Sequence, residues 1–358
     1  MILFFSSFIT SSNNGGSLAS RKLLNHISTI YPSIYTPSKL TDNIYCLYLI
    51  LFSNKVSIIV IDGLFGIRLL LILFAKLARP NLRLIIHPRG NAIHYQEFKI
   101  SNPHIFSNFS PYYFYLKLSC FLINLHDASF IASSTYEYIL LVSCKLSYKN
   151  ITIIHDDLPE PSDVQFSPST HISTNYSIPT RILNIGYFGG NSSVKNLPFV
   201  VSLYNHFNIS QSSCWLFGGF ENFPSELYDM PTYKHKNYQL IGKTVHADIS
   251  SYLSTCDVIL IPSLSESFCY LAYEALLNDC YVLISDQSPW NYTKYSTLGS
   301  SLPLVPSLWT SCLQEFYSSP LFKSSLFYDH KALMLEEIHN KHDPDKIMVS
   351  LNHLFTLN

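Results

Sequence analysis

Short apolar runs alternate with longer stretches of mixed polarity along most of the 358-residue chain. "ILFFSSFI" (2–9) predicts a strand that passes through Gly15-Gly16 into a helix near 17–30. "VSIIVID" (56–62), "LRLIIHP" (82–88), "ASFIASS" (128–134) and "NITIIHDD" (150–157) predict further strands, with a helix near 112–126. Ser134-Thr135-Tyr136-Glu137 has capping-box spacing and predicts a helix start. A strand covered by helices on both faces is apolar at every position rather than at alternate ones. These runs are of that kind, so the alternation predicts parallel sheets with right-handed crossovers.

The stretch "LPEPSDVQFSPSTHISTNYSIPT" (158–180) breaks the rhythm with four prolines and many hydroxyl residues, the composition of a linker. Alternation then resumes with "RILNIGYFGG" (181–190), "SCWLFGG" (213–219), "YQLIG" (238–242), "VILIPS" (258–263) and "CYVLISD" (280–286), with helices from about 194 and near 247–256. The expected fold class is α/β, two doubly wound Rossmann-like domains with an interdomain cleft. The expected bounds are a first domain over 1–160, a linker over 161–180 and a second domain over 181–340. A C-terminal helix over 341–358 is expected to pack back on the first domain. In sheets of this kind ligands bind beyond the carboxyl ends of the strands.

Composition narrows the picture. Hydrophobic residues make up 47% and charged residues 13%, which excludes a disordered chain. A net charge of −1 offers no electrostatic case for nucleic acid. Low surface charge fits work beside a membrane, and fits equally a bias towards Ile, Tyr, Asn and Ser. The eight cysteines include no C-x-x-C pair, so structural zinc and a disulfide scaffold are both disfavoured, and a reducing cytoplasm is the expected home. "MILFFSSFITSS" has no basic leader and reads as a strand rather than a signal peptide. Residues 56–78 are the most membrane-like window, but Asp62, Gly63, Gly66 and Arg68 divide it below the ~20 apolar residues of a span.

The chemistry concentrates in "SLSESFCYLAYEAL" (263–276). If "VILIPS" is a strand, Glu266 lies in the turn at its carboxyl end and Glu274 about two helical turns beyond. Eight residues of helix span at most about 12 Å, with about 80° of rotation. That is too far for an acid/base pair on one bond, and suits two ends of an elongated ligand. The N–H groups of the turn and first helical turn, those of Ser265 and Ser267 included, favour an anion such as phosphate. An anion flanked by two carboxylates that accept from hydroxyls suggests phosphates in the middle with sugars on either side. Taken alone, the pair reads more plainly as a capping carboxylate and an exposed helix acid.

"IPSLSESFCYLAYEAL" resembles the E-x7-E signature of retaining glycosyltransferases with the GT-B fold, family 4 or group 1 type, which includes many bacterial polysaccharide and lipopolysaccharide sugar transferases. Other segments follow in that family's order: "IIHPRGN", "FIASSTYEY", "ITIIHDDLPEP", "IGYFGGNSSVKNL", "WLFGG" and "LIGKT…YLSTCDVILIPS". The resemblance implies that Glu274 binds the ribose hydroxyls and that Glu266 contacts the donor sugar near the reacting centre. It implies that Lys195 binds the diphosphate and stabilises the growing leaving-group charge, and that His87 faces the donor sugar. Ser265, Ser267, Phe268, Gly189 and Gly190 fall on the donor side, and Gly15, Gly16 and Arg89 on the acceptor side. Lys195, His87 and Arg89 also admit plainer readings as a solvated lysine, a satisfied strand-end histidine and a turn anchor.

The chain departs from the family pattern at four positions. Gly190 stands where an arginine is common, Cys269 and Asp279 where glycines are, and Tyr281 where a proline is. "HDD" (155–157) and "HDPDK" (342–346) contain metal-type residues but no further ligand pattern, and Pro344 with Asp343 and Asp345 reads as a helix start. No metal and no resident cofactor are expected; a nucleoside-diphosphate sugar would be co-substrate. The expectation is metal-independent, retaining transfer of a sugar to a hydroxyl of a saccharide or lipid-linked saccharide. The place of work would be the cytoplasm or the inner face of a membrane, with peripheral contact. The rivals are a non-catalytic glycosyltransferase-like binding subunit and another α/β enzyme acting on sugar nucleotides, such as a phosphorylase or epimerase.

Overall fold

The computed structural model describes residues 1–6, 15–31, 33–36, 46, 48–53, 55–62, 76–87, 128–143, 151–156, 158, 182–190, 192–207, 213–220, 222–230, 236–242 and 249–356. The chain divides into two compact units, Met1–Asp157 with Lys341–Asn358, and Leu158–Asn340. The expected linker over 161–180 and helix near 112–126 lie outside the described residues.

In the first unit, β1 (Ile2–Ser6) leads to α1 (Gly15–Ile30), followed by β2 (Ile34–Tyr35), β3 (Ile58–Asp62), β4 (Arg83–His87), β5 (Ser129–Ala132), α2 (Thr135–Ser143) and β6 (Ile151–Ile153). Every pairing is parallel and the strand order is β2-β1-β3-β4-β5-β6. Alternate residues feed two cores. Ile2, Phe4, Ile58, Val60, Ile85 and Ile131 pack with Leu23 and Ile27 of α1 on one face. Leu3, Ile59, Ile61, Leu84, Ile86 and Phe130 pack with Leu49, Ile50 and Leu141 on the other. Burial of both faces is why these strands are apolar throughout. The capping box forms with a shift: Ser134 Oγ accepts from the Glu137 N–H at 3.1 Å, while the Glu137 carboxylate accepts from the Ser133 N–H at 2.6 Å.

The second unit runs β7 (Leu183–Tyr187), α3 (Leu197–His206), β8 (Ser213–Phe220), β9 (Lys236–Gly242), α4 (Ile249–Leu253), β10 (Val258–Ile261), α5 (Tyr270–Leu277), β11 (Tyr281–Ser285), β12 (Gly299–Leu302), α6 (Pro306–Ser318) and α7 (Ser325–Lys341). Its sheet is again parallel, in the order β12-β11-β10-β7-β8-β9. That is the doubly wound Rossmann order, whose direction reverses between β7 and β10. One face packs on α3 and α6 through Val200, Leu203, Trp309 and Leu313. The other packs on α5 and α7 through Ala272, Ala275, Leu276, Phe327 and Met334.

After α7 the chain rejoins the first unit as α8 (Pro344–Thr356), whose Ile347, Leu351, Leu354 and Phe355 complete the core beside α1. Asp343 Oδ1 accepts from the Asp345 N–H at 2.9 Å, a helix cap, so the D-x-D sequence is spent on starting α8. At the other end the Arg83 guanidinium donates to the carbonyls of Phe355, at 2.9 Å, and Leu354, satisfying acceptors that a helix terminus leaves open. Among the described residues no helix is long and apolar enough to cross a membrane.

Candidate functional site

β10 and β7 are the strands either side of the reversal, so the turns that follow them meet where a doubly wound sheet binds ligands. The turn after β10 spans residues 262–269 and carries Ser265, Glu266, Ser267 and Phe268. The turn after β7 carries Gly189, Gly190 and a single 3₁₀ turn, Ser193–Lys195. Two contacts join them: the Leu264 N–H donates to the Val194 carbonyl at 2.8 Å, and Lys195 Nζ lies 2.5 Å from Glu266 Oε1. Glu266 is buried while about a third of the Lys195 side chain stays exposed.

Around Glu266 the turn is tied on every side. Ser263 Oγ donates to Glu266 Oε1 at 2.6 Å, and Ser285 Oγ donates to the Ser263 carbonyl at 2.5 Å. The Glu266 N–H donates to the Gln287 carbonyl at 3.0 Å, and the Trp290 indole N–H to the Phe268 carbonyl. Partial burial alone would lower the Lys195 pKa. The charges of Glu266 and Cys269 and the hydrogen bond to Glu266 outweigh it, and the net direction is up. The ammonium is therefore held charged.

α5 starts immediately after this turn, which puts the positive end of its dipole there. Glu274 sits on α5 with only 2% of its surface exposed, so it is not the exposed helix acid of the plainer reading. Burial pushes the Cys269 thiol up in pKa, and the negative charge of Glu266 pushes it the same way.

Of the four departures from the family pattern, those at Gly190 and Tyr281 have backbone explanations, and nothing in the backbone explains those at Cys269 and Asp279. Cys269 (φ 70°) and Asp279 (φ 58°) both occupy left-handed conformations, the region that glycine enters at least cost. Asp279 pairs with Lys331. Tyr281 uses its N–H to donate to the Asp257 carbonyl at 2.8 Å, a bond proline could not make. Gly190 has φ +61°, and a Cβ there would lie 2.4 Å from the Gly219 carbonyl oxygen, so this backbone has no room for an arginine. A Cβ on Gly189 would meet Tyr187 Oη at 2.4 Å and Lys195 Cβ at 2.7 Å.

Sequence reasoning passed over several residues of this locus. The Tyr187 hydroxyl donates to the Lys195 carbonyl at 3.2 Å, bracing the lysine turn from below, and Ser263, Val194 and Gln287 supply the ties just described. One signal was available: Phe-Gly-Gly occurs at both 188–190 and 217–219, and the two copies meet in the structure, the Gly190 N–H donating to the Gly218 carbonyl at 3.3 Å.

The remaining candidates lie in the first unit. His87 ends β4 with Nδ1 3.2 Å from Asp62 Oδ1, and Ser6 Oγ donates to Asp62 Oδ2 at 2.9 Å. From the sequence Asp62 was read only as a break in the membrane-like window, and Ser6 was not singled out. Gly15 and Gly16 are the first two residues of α1. Arg89 lies outside the described residues. Among the described residues no cluster of His, Cys, Asp and Glu could hold a metal ion.

No protein-family model matches the chain, and no curated protein matches it in sequence. Solved structures do match in fold. HepE from Anabaena, in complex with UDP-glucose, superposes with a TM-score of 0.66 at 13% identity over 100% of both chains. Sucrose-phosphate synthase from Thermosynechococcus elongatus gives 0.68 at 12% identity, over 99% of this chain and 98% of that one. WaaG, a glycosyltransferase involved in lipopolysaccharide biosynthesis, gives 0.63 at 11% identity, over 99% and 98%. Identities this low speak for architecture, and the architecture is the GT-B fold of two Rossmann-like domains.

Proposed function

We propose that the protein is a glycosyltransferase that takes a sugar from a nucleoside diphosphate to a hydroxyl of a saccharide or lipid-linked saccharide, with retention and without a metal ion. The observation that carries the reading is the Lys195–Glu266 pair at the strand-order reversal, beside the start of α5 and the buried Glu274. Three structures of like fold add support through their ligands: HepE was solved with UDP, with UDP and glucose, and with UDP-glucose.

In this reading the departing diphosphate gains negative charge as the glycosidic bond breaks. Lys195 and the amides at the start of α5 meet that charge with groups already in place, which lowers the barrier more than mobile water would. Lys195 turns from Glu266 to the diphosphate when the donor binds, while Ser263 keeps Glu266 anchored to receive a sugar hydroxyl. Glu274 accepts from the ribose hydroxyls, and His87 faces the donor sugar. Because Lys195 supplies the cation, a chelator leaves the rate unchanged. Gly15, Gly16 and Arg89 belong to the acceptor side, and the protein works in the cytoplasm with peripheral membrane contact.

Calorimetry with UDP-glucose and other nucleotide sugars, paired with a transfer assay, tests this. Lys195→Ala should weaken donor binding and cut transfer by about a hundredfold or more. Glu274→Gln should weaken donor binding with less effect on the bound rate. Unchanged binding and transfer in both variants would sink the proposal.

A further inference from the structure

A row of three polar side chains closes the carboxyl edge of the first unit's sheet. Ser6, Asp62 and His87 are the last residues of β1, β3 and β4, and the parallel register sets Ser6 opposite Asp62 and Asp62 opposite His87. In this sheet the strand order turns back at β1, the chain passing from β2 on one side to β3 on the other. Strand ends at such a reversal are where ligands bind in open α/β sheets.

Ser6 holds Asp62, and Asp62 faces His87. Asp62 and His87 are each 1% exposed. Ser6 fixes one oxygen of the Asp62 carboxylate at 2.9 Å, and the other lies 3.2 Å from His87 Nδ1. A buried carboxylate is costly unless its oxygens are used. A carboxylate can only accept, so a neutral imidazole facing it must carry its proton on Nδ1, which leaves Nε2 as an acceptor. Among the described residues Nε2 has no hydrogen-bond partner, an uncommon state for a buried ring nitrogen. Nδ1, although 3.2 Å from Asp62 Oδ1, likewise makes no hydrogen bond among the described residues. Such slack is usual before substrate binds and draws the groups together.

We propose that Asp62, steadied by Ser6, is a positioning residue that sets the orientation and tautomer of His87, so that Nε2 accepts a hydrogen bond from a sugar hydroxyl. Only the identity of that ligand rests on the function proposed above; the pairing stands on the first unit alone. A purely structural Ser6–Asp62 clasp would not govern where the His87 proton resides.

The test reads the ring nitrogens of His87 by NMR in the full-length 15N-labelled chain at alkaline pH, the signal being assigned by its loss in His87→Asn. The proton should sit on Nδ1 in the native protein. It should move wholly or partly to Nε2 in Asp62→Asn, and partly in Ser6→Ala. In the transfer assay Asp62→Asn should lower kcat about ten- to a hundredfold with the donor KM nearly unchanged. Adding it to His87→Ala should cost nothing more. A native His87 protonated on Nε2, or an Asp62→Asn variant with native tautomer and native kcat, would overturn the inference. If Asp62→Asn does not fold, the native tautomer and Ser6→Ala still decide it. If the native protein transfers no sugar, the functional reading fails while the ring measurement continues to judge the pairing.

Discussion

Gly190 is where a single hydrogen atom decides the local structure. Its positive φ and the Gly219 carbonyl 2.4 Å from any Cβ add a conformational cost to a steric one. Gly190→Ala should therefore destabilise the protein by about 2 kcal/mol or more, and displace the lysine turn, as thermal unfolding and donor calorimetry would register. Tyr292 is the opposite case. Its hydroxyl is buried, which pushes its pKa up, and meets no hydrogen-bond partner among the described residues. Tyr292→Phe removes that orphaned donor and keeps the ring stacked on Trp290, so the melting temperature should hold or rise, by up to about 1 kcal/mol of stability. Residues of this kind show what a sequence reader can and cannot see. Glu266, Glu274 and Lys195 stand out because their spacing carries a chemical meaning along the chain. Ser6 and Asp62 gain theirs only through the register of three strands, separated by 56 and 25 positions in sequence, and no local pattern announces it.

At the scale of elements, β1, β3, β4, β7, β10 and β11 were legible as apolar runs because the sheet buries them on both faces. β2 and β12 were not, and both are sheet edges. Ile34–Tyr35 is too short to form a pattern, and Gly299–Leu302 reads "GSSL", polar because an edge is only partly covered. The return of the chain before α8 carries the element-scale prediction. The His342 Nδ1–H donates to the Asp156 carbonyl, and its ring lies 5.0 Å from that of His155. Burial, opposed by that hydrogen bond and aided by His155 and Lys341, lowers the His342 pKa to about 4, and burial lowers that of His155 as well. Both groups bind protons more readily when unfolded. The His342 contribution is thus complete above pH 6.5 and is lost as pH falls towards about 4, with His155 acting in the same direction. Chemical denaturation across that range should show stability falling by about 2–3 kcal/mol, and His342→Leu should flatten the slope.

At the scale of the whole molecule, one unit is continuous in sequence and the other is not. Residues 158–340 contain both faces of their own sheet's core and should fold when expressed alone, giving a dispersed NMR spectrum and a cooperative melt. Residues 1–157 lack α8, so Ile2, Phe4, Val60 and Ile85 lose the cover of Leu351, Leu354 and Phe355. That fragment should bind a hydrophobic dye and melt without cooperativity until a peptide of residues 341–358 is added. A cooperative native fold without the peptide would contradict this assignment of α8.

The same discontinuity bears on how the protein is made. A ribosome moving from the N-terminus releases the strands of the first unit early, yet the helix that seals one side of them emerges only after the second unit has been synthesised. At about 5–20 residues per second, a sticky half-built sheet must wait roughly ten to forty seconds for residues 158–356 to follow. Synthesis thus imposes an order, in which the later-made unit can close before the earlier one is sealed.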